Sequence, residues 1–204
     1  YYDTALAVKA GADVVVLDGM QGGTAATQEV FIENVGQPTL ACIRPAVDAL
    51  QELNVHREVQ LIISGGIRNG ADVSKALALG ADAVSIGSAA MIAIGDNDPK
   101  WEKEYNKLGT ISGAYDDWHE GNDPAGISTQ DPKLMKRLDP IKAGKKLSNY
   151  LKVMTLEAQT LARACGKNNL HNLEPEDLCA LTVEAAAMAR VPLAGTNWIP
   201  GTKI

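Results

Sequence analysis

The chain is 204 residues long, 46% hydrophobic and 22% charged, with a formal net charge of −6. Such a profile belongs to a folded domain with a sizeable core; its acidic balance argues against nucleic acid or an anionic membrane as main partner, since both select clustered Lys and Arg. No apolar run approaches the ~20 residues of a membrane span, no signal peptide opens the chain, and Cys42, Cys165 and Cys179 form no CxxC pair, which suits reduced cytoplasmic thiols.

The opening YYDTALAVKAGADVVVLDG reads as a helix heading into a strand, and a start on Tyr1 suggests a piece of a longer protein. The run ADVVVLDG, from Ala12 to Gly19, is apolar and β-branched throughout, as in a strand buried on both faces. RPAVDALQELNV, from Arg44, reads as a covering helix. A second strand is expected in EVQLIISGG, Glu58 to Gly66, and a third in ADAVSIGS, Ala81 to Ser88. Between them NGADVSKALALG has the spacing of a short amphipathic helix with a glycine stop. From Asp96 to Asp131 the chain turns polar and rich in Gly, Asp and Pro, a long excursion with turns. The tail returns to helical periodicity in AGKKLSNYLKVMTLEAQTLARACG, and EPEDLCALTVEAAAMARV places Pro175 and acidic residues where a helix would begin.

Strand–helix alternation means α/β with a parallel sheet. Three strands cannot close a barrel of roughly 250 residues and eight units. The expected architecture is therefore the C-terminal part of a (β/α)8 barrel, about the last three βα units, over residues 1–95. A loop-rich excursion follows over 96–132, then a helical extension packing on the barrel over 133–204. Barrels of this kind often hold a phosphate at the loops after their last two strands, with a helix N-terminus aimed at it. SGGIRNG and IGSA stand where those loops would be. Gly65, Gly66 and Gly87 would let backbone N–H groups approach phosphate oxygens, and Ser88 would add a hydroxyl. The competing reading is turn geometry alone. Arg68 reaches the ligand or is a solvated arginine; His56 reads as a surface loop residue, His119 and His171 as polar or cap-like, and no spacing suggests a metal site.

The loop VVVLDGMQGGTAA resembles the FMN-binding barrel domain of the glutamate synthase family. In register with that pattern are Asp18, Gly19, Gly22, Gly23, Thr24 and Ala26, then Gly65, Gly66, Gly70, Asp72, Val73, Gly80, Ala81, Gly87, Ser88, Ala89 and Ala90. The similarity resumes at AGISTQDP, while Gln21 and Ala25 depart from it. The resemblance implies FMN, held by Gly22, Gly23, Ser64, Gly65, Gly66, Ile67, Arg68, Gly87, Ser88 and Ala89. It also implies substrate contacts from Gln21, Gly22, Gly23, Thr24 and Arg44, with Asp18, Gln21 and Thr24 as candidates for orienting substrate. Asp18 is equally readable as a turn cap, and Arg44 as a helix arginine. Inosine monophosphate dehydrogenases, non-flavin phosphate-binding barrels, share the GGIR stretch but need a cysteine loop, and LDGMQGGTAATQ has no cysteine.

The family's three cluster cysteines have no counterpart between Gly95 and Gly126, where Asp123 stands at one such position, so no iron–sulfur cluster is expected here. A cysteine-free version with this tail resembles the glutamate synthase-like subunits of methylamine–glutamate N-methyltransferases, the N-methylglutamate synthases. That resemblance implies conversion of glutamate and methylamine to N-methylglutamate and ammonia, with amidotransferase-like and glutamate synthase-tail-like subunits as partners in a multimeric complex. The alternatives are reduction of 2-iminoglutarate to glutamate, and a fragment serving only as a partner-binding piece of an assembly.

Overall fold

The computed structural model describes residues 1–22, 29–108 and 121–202. They fall into two compact units, one of Tyr1–Gly22, Gly36–Ser85 and Met154–Ile204, the other of Gly23–Val35 and Ile86–Val153.

The first unit is built on a parallel sheet ordered β1 (Val14–Asp18), β2 (Gln60–Ser64), β3 (Ala83–Val84). The register pairs Val14 with Gln60, Val16 with Ile62 and Asp18 with Ser64, and Ile62 with Ala83. Helix α1 (Tyr2–Lys9) leads into β1, α3 (Thr39–Glu52) lies between β1 and β2, and α4 (Gly70–Ala78) between β2 and β3. Side chains alternate across a strand, so the odd-numbered residues of β1 and β2 share one face with the helices. Leu61 and Ile63 are fully buried there with Val47 and Leu50 of α3 and Leu77 and Leu79 of the α4 end; Val15 and Leu17 pack against that core. The opposite face presents Val14 and Val16, 49% and 58% exposed, and Ala83, also exposed. An apolar sheet bare on one side has the composition of one covered on both.

The tail contributes the second part of α8 (Pro140–Ala164) and α9 (Val183–Ala189) to this unit. Pro175 opens only a 3-10 turn, Pro175–Asp177; α9 starts later, at Thr182, whose hydroxyl accepts from Ala185 N–H at 3.2 Å. β3 is two residues long, shorter than its apolar run suggested.

The second unit contains α2 (Glu29–Asn34), α5 (Ser88–Ile94), α6 (Glu102–Leu108), α7 (Pro132–Met135) and the first part of α8. The excursion is held by charge and ring contacts. Arg137 lies over the Trp101 ring at 4.2 Å and donates to Pro124 O at 2.9 Å, while Asp131 caps α7 through Lys133 and Leu134 N–H.

Candidate functional site

The carboxyl ends of β1 and β2 are bound into one knot. Asp18 pairs with Ser64 in the register, and Gly19 N–H donates to Ser64 O at 3.2 Å. The chain after Gly19 makes a 3-10 turn, Met20–Gly22, so that Gly22 N–H returns to Gly19 O at 2.8 Å. Thr39, the buried first residue of α3, is wedged between the two strand exits. A Cβ on Gly19 would collide with it, and one on Gly65 would stand 2.6 Å from its Oγ1 and 2.9 Å from Gly22 N. With φ at +103°, Gly65 is therefore required twice, by conformation and by close approach.

Gln21 braces this knot. Its side-chain carbonyl accepts from Thr39 N–H at 2.8 Å and from the Thr39 hydroxyl at 2.9 Å, satisfying a donor at the start of α3 as an N-cap side chain would. The amide oxygen expected to meet substrate is thus engaged within the protein. Asp18 is exposed, on the open face of the sheet, with its carboxylate against Gly22 and, among the described residues, no bond to a turn amide. It lines a cleft of about 510 Å³ with Val16, Gln37 and Cys42. Ser64 and Ser85 follow the same alternation onto that face, Ser85 N–H bonding to Ile63 O at 2.8 Å. Ser85 went unnoticed in the sequence, though a period of two from Ala83 reaches it. Burial pushes the Cys42 thiol above its ordinary range.

Beyond β2, Gly65 and Gly66 both have positive φ, and Gly66 and Arg68 are exposed while Ile67 is buried. Among the described residues the N–H groups of Gly65, Gly66 and Ile67 make no hydrogen bond. The start of α4 is different. Asn69 accepts from Asp72 N–H at 2.9 Å, Glu157 of α8 accepts from Gly70 N–H at 2.9 Å, and Asp72 accepts from Arg68 N–H and pairs with its Nε. The first turn of α4 is thus held by groups of the chain itself, Glu157 at Gly70 and Asn69 at Asp72. In the other unit, Gly87 is the N-cap of α5. Its carbonyl accepts from Ala90 and Met91 N–H, and a Cβ added to it would meet none of the described residues within 4 Å.

Arg44 does not reach these loops. It donates to Leu79 O at 3.2 Å, at the far end of α4, and its Nε is buried with no partner among the described residues. That places its guanidinium at the turn after α4, on the helical layer. It is one of four side chains gripping the turn from α4 to β3. His56 Nε2 meets Gly80 O at 3.3 Å, Arg57 donates to Ala81 O at 3.1 Å, and His171 Nε2 meets Asp82 O at 2.9 Å. His56 is thus a structural donor rather than a bare surface residue. Gly23, Thr24, Ala25, Ala26 and His119 lie outside the described residues.

Asp123 lies in a buried polar network. Its carboxylate accepts from Ala125, Ile127 and Ser128 N–H at 2.9, 2.7 and 2.8 Å and from the Tyr105 hydroxyl at 3.0 Å, and that hydroxyl lies 3.1 Å from Asp96. Burial, then the charges of Asp123 and Asp96, hold the Tyr105 phenol well above its ordinary range. Among the described residues no group of three or more His, Cys, Asp or Glu could hold a metal ion, and no helix is long and apolar enough to cross a membrane.

Parallel β/α units with glycine loops gathered at the strands' carboxyl ends define the class: an α/β protein consistent with part of a (β/α)8 barrel, whose sites form at that end. Within it the chain belongs to the glutamate synthase family, since residues 2–99 and 114–168 match the conserved region in glutamate synthase. It is 83% identical over 201 residues to the glutamate synthase large subunit-like protein of Rhizobium meliloti (strain 1021), covering 98% of this chain and 46% of that protein. It is 41% identical over 162 residues to the archaeal glutamate synthase [NADPH] of Methanocaldococcus jannaschii, covering 79% of this chain and 29% of that one. A protein of Dehalococcoides mccartyi named archaeal-type glutamate synthase [NADPH] is 38% identical over 166 residues, 81% of this chain and 30% of its own. The chain spans less than half the length of these relatives.

Proposed function

We propose that this chain is the FMN-binding part of a glutamate synthase-like flavoenzyme acting on glutamate or 2-iminoglutarate. The observation that carries the reading is the set of bare N–H groups on Gly65, Gly66 and Ile67, at the carboxyl end of a parallel strand, where a phosphoryl group would supply the missing acceptors. Gly87 supports it from its own unit, because none of the described residues occupies the space a Cβ would take. These residues, with Ser64, Arg68, Ser88 and Ala89, would hold FMN, and Gly22 and Gly23 would allow close backbone approach of flavin or substrate. When bound, the flavin supplies hydride transfer between its ring and the carbon bearing the substrate nitrogen.

The chain's own part is to orient substrate and exclude water. Asp18 is placed for the first task, exposed at a strand end with Ser64 and Ser85 beside it on the open face. Gln21 would contribute through its amide N–H groups, its oxygen being engaged, and Thr24 remains part of the proposed substrate set. The bare apolar face of Val14 and Val16 supports further strands completing the barrel.

The finer assignment is the glutamate synthase-like subunit of an N-methylglutamate synthase, converting glutamate and methylamine to N-methylglutamate and ammonia with other subunits. Its support is the segment from 96 to 132, which carries no cysteine and in which Asp123 accepts from three backbone amides and a tyrosine. The test is to supply the purified complete protein, with its subunits, either with glutamate and methylamine or with 2-oxoglutarate, an ammonia source and a reductant. N-Methylglutamate in the first mixture is expected. Glutamate from the second alone would replace the finer assignment, and a protein binding no flavin would end the reading.

A further inference from the structure

Helix α8 touches the loop system at one point. The Glu157 carboxylate accepts from Gly70 N–H at 2.9 Å. Gly70 is buried, and a Cβ there would collide with Met154 O and stand 2.5 Å from Glu157 Cβ and 2.6 Å from Ala158 N. Its φ lies outside the left-handed region, so the contact with α8 alone demands glycine.

The stretch from Gly65 to Ile67 has little to hold its own shape, whereas Arg68 and Asn69 after it are bonded to Asp72. Gly65 and Gly66 sit at positive φ, and the N–H groups of residues 65 to 67 make no hydrogen bond among the described residues. Its form is therefore imposed from its two ends. One end is the packing of Gly65 against Thr39. The other is the buried Ile67 and the first residue of α4, which Glu157 ties down. The same carboxylate takes the positive end of the helix, so an arriving anion is left with the loop amides rather than α4.

We propose that Glu157 is a positioning residue for the phosphoryl-binding loop, acting through Gly70 to hold the Gly65–Ile67 amides in register. The proposal rests on the FMN reading. The test titrates FMN and riboflavin, which lacks the phosphate, into the complete protein and its variants, following flavin fluorescence. Glu157→Ala and Gly70→Ala are expected to weaken FMN about tenfold, the size of one hydrogen bond to a charged group, and to leave riboflavin unchanged. Glu157→Gln keeps an acceptor for Gly70 and is expected to stay within about threefold of wild type. An unchanged FMN affinity in Glu157→Ala overturns the proposal, and so does an equal fall for both flavins, which would mark a general loss of structure. If wild type binds neither flavin, the functional reading fails by itself. Positioning is then read from amide exchange over residues 65–73, where faster exchange in Glu157→Ala supports it and unchanged exchange refutes it.

Discussion

Replacing Gln21 with Ala separates a structural brace from a substrate contact. The side chain accepts two hydrogen bonds, from Thr39 N–H at 2.8 Å and from the Thr39 hydroxyl at 2.9 Å, and Thr39 is only 8% exposed. Each bond contributes about 1 kcal/mol net and a helix cap 0.5–2 kcal/mol, so the loss is about 1–2 kcal/mol. The loss falls at the start of α3. Amide hydrogen exchange over residues 39–43 should therefore accelerate about five- to thirtyfold when opening becomes that much easier. Thr39→Val removes only the hydroxyl bond and should cost about half as much. Combined with Gln21→Ala it should add little, because the bond it deletes is already gone. Unchanged exchange in Gln21→Ala, together with a raised KM for the amino acid substrate, would refute the brace and return Gln21 to the ligand.

Further outcomes follow from the same geometry. Gly65→Ala meets both a φ of +103° and Thr39 Oγ1 at 2.6 Å. It should lower stability by at least about 1–2 kcal/mol, read as a lower urea midpoint at constant m. Cys42 should be alkylated more slowly than the exposed Cys165 and Cys179 at pH 8, because burial raises its thiol; peptide mass spectrometry would check the order. Asp131 and Asp139 accept backbone N–H bonds at the starts of α7 and α8, which lower both carboxyls. Their contribution is present above the ordinary carboxylate range and lost as pH falls through the depressed values, so Asp131→Asn should flatten the acid limb of a pH–stability curve. Lys167 is raised by Glu174 and Asp177, so its contribution is present below the ordinary lysine value and lost as pH rises through the raised one.

The strands and α4 were legible because local pattern and tertiary demand agree. β-branched runs mark β1 and β2, Asn69 caps α4, and Gly80 at φ +114° ends it. Helix α6 was not read, because its one buried anchor, Tyr105, is held by Asp96 and by Asp123, 18 residues on. Pro175 looked like a helix start, yet its turn lasts three residues and Thr182 supplies the cap. The glycine loops were recognisable, but which donors remain for a ligand was not. Gln21 turns inward to Thr39, Arg44 goes to a carbonyl 35 residues away, and Glu157 reaches Gly70 across 87 residues. Such pairings depend on how helices pack and leave no local signature. The sequence pattern locates the loops; packing decides what each side chain there is free to do.

Gly87→Ala tests the proposed contact of a flavin phosphoryl group with the start of α5, within the second unit. The added methyl meets none of the described residues within 4 Å, at a negative φ of −119°, so the fold should lose less than about 1 kcal/mol, the N-cap difference. The expected result is at least a tenfold weaker FMN affinity, about 1.4 kcal/mol, with riboflavin affinity unchanged. Unaltered FMN binding in a Gly87→Ala protein of wild-type stability would mean that no phosphoryl group sits against Gly87.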